Sequence, residues 1–104
     1  MRPMTVSQTG AGSSAPIPFD MHGRSEISLQ VNVTGTVTYT VEQTLDDPAD
    51  AGAVWFSHPD ATLVGATTSL QGNYAYVPRA ARVTVSSGSG TAKLIAIQSG
   101  LGRA

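Results

Sequence analysis

The chain has no cysteine among its 104 residues, which excludes disulfide staples, thiolate metal sites and cysteine nucleophiles together. Charge is scarce as well. Asp, Glu, Lys and Arg make up 12% of the chain, about half the usual fraction of roughly 25%. The six basic residues, Arg2, Arg24, Arg79, Arg82, Lys93 and Arg103, never form a run, and the formal net charge is −1. Nucleic-acid binding is therefore not expected, because phosphate contacts need clustered positive charge. No apolar run approaches the ~18 residues of a membrane span, and the opening MRPMTVSQTGAGSSAPIPF lacks the continuous apolar stretch of a secretory signal. The expectation is a soluble product made in the cytoplasm, without a membrane partner. Amphipathic helical patterns with caps are also missing.

What the sequence has instead is Thr, Ser and Gly, so hydroxyls must solvate most of the surface. Such a surface costs less to desolvate than one of Lys and Glu, the residues depleted at interface cores. At this length one domain is expected. It buries roughly 60 to 70% of the surface its unfolded chain exposes, so neighbouring subunits could add support.

Period-two patterning dominates. From Glu26 onward Ile27, Leu29, Val31 and Val33 point one way and the polar residues between them the other, as in a strand with one buried face. After Thr34-Gly35, read as a tight hairpin, Val37, Tyr39 and Val41 oppose Thr36, Thr38, Thr40 and Glu42. Leu45 leads into DDPADAG, an exposed loop, since Pro48 and Gly52 stop a strand. Val54-Trp55-Phe56 resumes before His58-Pro59-Asp60 turns the chain. Ala61–Leu70 reads as a weaker strand, and Gly72-Asn73 as a turn into Tyr74, Tyr76 and Val77. Val83 and Val85 alternate inward, Ser87–Gly90 forms a hairpin loop, and Ala92–Gln98 is apolar on both faces, as in a central or doubly covered strand. Seven or eight short strands in an all-β antiparallel sandwich, in the manner of a jelly roll, are the expected fold. Residues 1–15 read as a flexible arm with a Gly/Ser-rich linker, either frayed or ordered by pairing with its own sheet or a neighbour's edge. Residues 16–104 form the domain.

Catalytic inventories come up empty. Asp46, Asp47, Asp50 and Asp60, with His58 nearby, are the one polar cluster, but the spacing matches no helical calcium loop and Pro48 with Gly52 marks an ordinary turn. Neither a metal nor a cofactor is expected. His22 and His58 are the only histidines, and no serine sits in a G-x-S-x-G elbow. Paired catalytic carboxylates are unsupported, since Glu26 and Glu42 fall on exposed strand faces. A non-enzymatic protein is expected. Trp55, Phe56, Tyr74 and Tyr76 are either core and cross-strand pairs or a sugar-stacking platform. Trp55 and Phe56 are neighbours on a strand and face opposite ways, so one is core and the other is covered by a loop, a terminus or another subunit.

The segments Ile17–Asp20, Val33–Asp47, Trp55–Pro59 and Pro78–Gly90 carry the patterns I-P-x-D, V-T-G-T-V-x-Y-T-V-x-x-T-x-D-D, W/F-x-H-P and P-R-A-x-R-x-x-V-x-S-G-S-G. Through them residues 16–100 resemble a group of small β-sandwich virion proteins of tailed bacteriophages. These motifs are structural punctuation and carry no chemistry. The resemblance implies a capsid decoration or cement protein on the surface of the phage head, stabilising it by binding the major capsid protein and copies of itself. A tail, fibre or head-to-tail connector component has the same composition. From another class, a carbohydrate-binding attachment module would need exposed aromatics among Trp55, Tyr74 and Tyr76. Met4 and Val6 of the arm, Trp55, Arg79 and Arg82 are the candidate partner-contacting residues.

Overall fold

The computed structural model describes residues 4–19, 25–74 and 78–100. It is all-β, with no α-helix among the described residues. The strands are β1 (Met4–Thr9), β2 (Gly12–Ser13), β3 (Ile17–Pro18), β4 (Ser25–Thr34), β5 (Val37–Thr44), β6 (Phe56–Ser57), β7 (Leu70–Tyr74), β8 (Ala80–Gly88) and β9 (Thr91–Gly100). They form two antiparallel sheets. One has the order β1-β9-β4-β7 and the other β2-β8-β5-β6, with β3 also on β8.

β2 and β3 are two pieces of one edge strand. The register on β8 slips by one residue between them, Ser13 pairing Thr84 and Ile17 pairing Ala81. Pro16 cannot donate to the ladder, and the Val83 N–H is taken by the Ser14 hydroxyl at 3.1 Å instead. With β2 and β3 counted together, the order across one sheet repeats that across the other: β1 over β2, β9 over β8, β4 over β5, β7 over β6. Each long ribbon is bent over from one sheet into the next, which is jelly-roll order.

The bends explain one departure from expectation. Gly35 and the Ser87–Gly90 segment do not close hairpins, because β4 and β5, like β8 and β9, lie in different sheets. A glycine turn between two alternating segments looks the same in sequence whether the strands pair or part. Here the corners stack: Gly10 N–H donates to Gly90 O at 3.1 Å, and Gly90 N–H to Thr36 O at 3.0 Å. A Cβ on Gly88 or Gly90 would overlap the Thr36 or Thr34 carbonyl oxygen.

The period-two faces meet in the middle. Ile27, Leu29 and Val31 of β4 and Ala92, Leu94 and Ala96 of β9 pack against Val37, Tyr39 and Val41 of β5 and Ala81, Val83 and Val85 of β8. All twelve are buried, and at ~25 cal/mol per Å² of apolar area such burial is the main stabilising term. The side of the sandwich beside β6 and β7 is closed by residues 58–69. Leu63, fully buried in a single 3-10 turn (Ala61–Leu63), sits under Gly72, where a Cβ would press on its Cδ1. Residues 61–69 are thus not a strand, their one bridge being Ala66 to Tyr39, and only Leu70 of the expected segment is in a strand, as the start of β7. Gly72-Asn73 is not a turn but lies inside β7.

Of the alternatives expected for the arm, pairing with its own sheet is the one seen in its described residues. Met4–Thr9 pairs with β9 along its whole length within its own sheet, and Gly12–Ser13 pairs with β8. Met4 and Val6 are partly buried against the core. The alternation Met4, Val6, Gln8 gave the strand a core-facing side, and the Gly/Ser stretch supplies the corner rather than a tether. Residues 4–9 and 12–13 are therefore strands of the two sheets.

Candidate interaction surfaces

The polar cluster around His58 is structural in its contacts. His58 is buried and joins the two sheets: its backbone N–H reaches Val41 O at 2.8 Å, while its ring lies 4.5 Å from that of Tyr74. Nδ1 accepts from the Asp60 N–H at 2.9 Å, so Nε2 bears the proton and donates to Asn73 O at 2.9 Å. Burial lowers the His58 pKa below its ordinary value, partly opposed by the Asn73 carbonyl and the Asp60 charge. Both ring nitrogens are occupied in the neutral form. The carboxylates serve their own turns: Asp46 accepts from Val54 N, Asp47 from Ala49 N, Asp50 from Gly52 N and Asp60 from Thr62 N. Those Thr62 hydrogen bonds hold the Asp60 pKa below the usual carboxylate value. Among the described residues no three metal-ligating side chains gather.

On the outer face of the β8/β5 sheet, alternation brings Glu42, Arg82 and Thr84 together. Glu42 Oε1 accepts from Arg82 Nε and from Thr84 Oγ1, each at 2.8 Å. The Arg82 guanidinium carbon stands 4.2 Å from the centroid of Trp55, within cation–π range. Trp55 is half-buried here rather than in the core. The ion pair keeps roughly a fifth to a quarter of its side-chain surface, 24% for Arg82 and 20% for Glu42, so its net stabilisation is small. Arg79 is exposed and joins this sheet through its backbone, donating to Thr44 O and accepting from Phe19 N. Met4 and Val6 face inward, so the five candidate contact residues are not brought together on one surface. Tyr74 is buried and donates its hydroxyl to Gln43 at 3.0 Å, leaving it no stacking face for a sugar, and Tyr76 lies outside the described residues.

A different cluster is open to solvent. Leu45 at the end of β5, with Val54 and Phe56 returning along β6, is 68%, 56% and 64% exposed respectively. With Gln43 and Asp46 these side chains line an open cavity of about 350 Å³. The expectation that one of Trp55 and Phe56 is core fails, because the chain re-enters at the sheet edge, where neither side faces the interior. Leu45 and Val54 carried no signal beyond flanking a polar loop. Their convergence depends on the loop closing, with Thr44 Oγ1 on Val54 O at 2.7 Å and Val54 N on Asp46 at 2.9 Å.

A second surface is the outer face of the other sheet. β9 is central there, as its apolar pattern suggested, yet only one of its sides is covered. Ile95 is half-exposed and Ile97 is 41% exposed among Ser28, Gln30 and Gln71, and Lys93 is the one charged side chain described on that face. Side-chain hydrogen bonds cross it, the Gln30 amide N–H donating to Asn32 Oδ1 and that of Gln71 to Gln30 Oε1, both at 2.9 Å. Among the described residues no helix is long and apolar enough to cross a membrane. Compared with family models, curated proteins and solved structures, the chain matches none.

Proposed function

We propose that this chain is a non-enzymatic structural protein of a phage particle, a decoration or cement protein of the head that binds the major capsid protein lattice. The observation that carries the reading is the solvent-facing apolar cluster of Leu45, Val54 and Phe56 at a sheet edge. Apolar side chains grouped in this way mark surfaces that another macromolecule covers. The charge-poor faces support the same reading, since a partner can cover them at small desolvation cost. The choice of the major capsid protein as partner rests on the resemblance of residues 16–100 to phage virion proteins. A head location requires copies throughout the capsid lattice, and a tail or connector location requires a few copies at one site.

The test is cosedimentation of the full chain with capsids assembled without it. Leu45→Ser with Phe56→Ser removes two exposed apolar side chains, each contributing ~1.5 kcal/mol if buried on docking. The double variant should keep its melting temperature and lose affinity by roughly a hundredfold. Undiminished binding of the double variant would refute the assignment of this cluster.

A further inference from the structure

The three sheet edges formed by one unbroken strand, β1, β6 and β7, are finished differently. On the β7 edge, the Asn73 carbonyl is held by the His58 ring, and on the β6 edge the Ser57 carbonyl by the Gln43 amide. β1 carries Met-Thr-Val-Ser-Gln-Thr, six residues with no charge, no proline and no bulge. Those are the devices by which natural sheets protect an edge from pairing.

Which groups β1 offers follows from its ladder. Gly10 N–H points to β9, in register with the pairing of Thr9 and Thr91. Backbone groups alternate sides along an antiparallel strand, so Gln8, Val6 and Met4 also turn toward β9 and Thr9, Ser7 and Thr5 turn away. The Thr9 carbonyl is contacted by the Gln8 amide at 3.3 Å. Thr5 and Ser7 are left presenting an N–H and a C=O each, with no partner among the described residues.

We infer that this edge pairs with the same edge of a second copy, about a two-fold axis through Val6. Such an axis sets Thr5 opposite Ser7 of the other copy and Ser7 opposite its Thr5. All four backbone groups on each chain then exchange hydrogen bonds. Thr and Ser meet on the outer face, Val6 meets Val6 on the inner, and no charge opposes another. The edge is self-complementary, as an isologous interface must be, and two four-stranded sheets become one. The inference is independent of the proposed role, because self-association is measured without capsids.

The experiment uses the full chain in solution. Sedimentation across the micromolar range should show a dimer. Thr5→Lys with Ser7→Lys changes two exposed side chains and sets Lys against Lys at both pairings. This variant should melt like the parent and associate at least ~10-fold more weakly, like charges directly opposite being destabilising. Because the chain has no cysteine, Val6→Cys introduces a single thiol. At a non-hydrogen-bonded pair the Cα atoms lie about 4.5 Å apart, within disulfide reach, so this variant should cross-link on mild oxidation much faster than Thr5→Cys. A monomer throughout the range, a dimer indifferent to the two lysines, or equal cross-linking of the two cysteine variants would overturn the inference.

Discussion

Gly90→Ala tests the stacked corners on which the jelly-roll order depends. Gly90 has no positive φ to lose, so the effect is steric. Its new Cβ would fall on the Thr34 carbonyl oxygen, 2.8 Å from Thr36 N and 2.9 Å from Gly35 C. All three are backbone atoms and none can rotate aside. Forcing a methyl into a packed site costs about 1–3 kcal/mol. Separating the corners also weakens the Gly90–Thr36 and Gly10–Gly90 hydrogen bonds, at about 1 kcal/mol each. Removing a glycine from the unfolded chain returns about 0.4–1 kcal/mol. The net is a loss of about 3 kcal/mol, which for a domain near this size lowers the melting temperature on the order of 15 °C. Far-UV circular dichroism melts and urea titrations measure it. The control is Gly65→Ala, where φ is +64° and nothing lies within 4 Å of the added Cβ, so only backbone strain of about 1 kcal/mol applies. A Gly90→Ala variant that melts within about 4 °C of the parent, or above Gly65→Ala, would refute the stacked geometry.

Arg82→Ala removes the cation over Trp55 and leaves Glu42 with Thr84 alone. Because Trp55 is the only tryptophan, its fluorescence should change, alongside a stability loss of about 1 kcal/mol; an unchanged emission spectrum would contradict the contact. His58 predicts acid sensitivity. Its folded pKa lies below the unfolded value near 6.5, so the unfolded chain binds the proton first. Stability is then full above about pH 6.5 and falls as pH drops toward the lowered value. Protonating Nδ1 also ends its acceptance from Asp60. His58→Gln should be less stable at neutral pH and lose this part of the pH dependence, as urea titrations across that range will show.

Much of the fold was legible because alternation is a local property. Ile27 to Val33, Val37 to Val41, and Val83 with Val85 announce their buried sides before any partner is known, and Val33 alone among them is only partly covered. Partners are not local. Nothing in Thr34-Gly35 or Ser87–Gly90 says whether the flanking strands pair or separate into two sheets, and so two corners read as hairpins. Leu63, beside Val64 among Ala, Thr and Gly, read as part of a weaker strand, yet it sits in a single 3-10 turn and plugs the side of the sandwich. Met4 and Val6 read as an arm because the glycines after Thr9 resemble a linker until Gly10 is seen bonded to Gly90. The exposed cluster was the least legible feature. Leu45 and Phe56 are eleven positions apart and meet only because Thr44 and Asp46 close the loop between them.

The central claim is that this domain works by covering another protein's surface with Leu45, Val54 and Phe56. Capsids assembled without the chain, titrated with parent and with the Leu45→Ser, Phe56→Ser variant and then sedimented, test it most directly. The account predicts saturable binding throughout the lattice by the parent and roughly hundredfold weaker binding by an equally stable variant. Equal binding by both, or no binding by the parent, would contradict it.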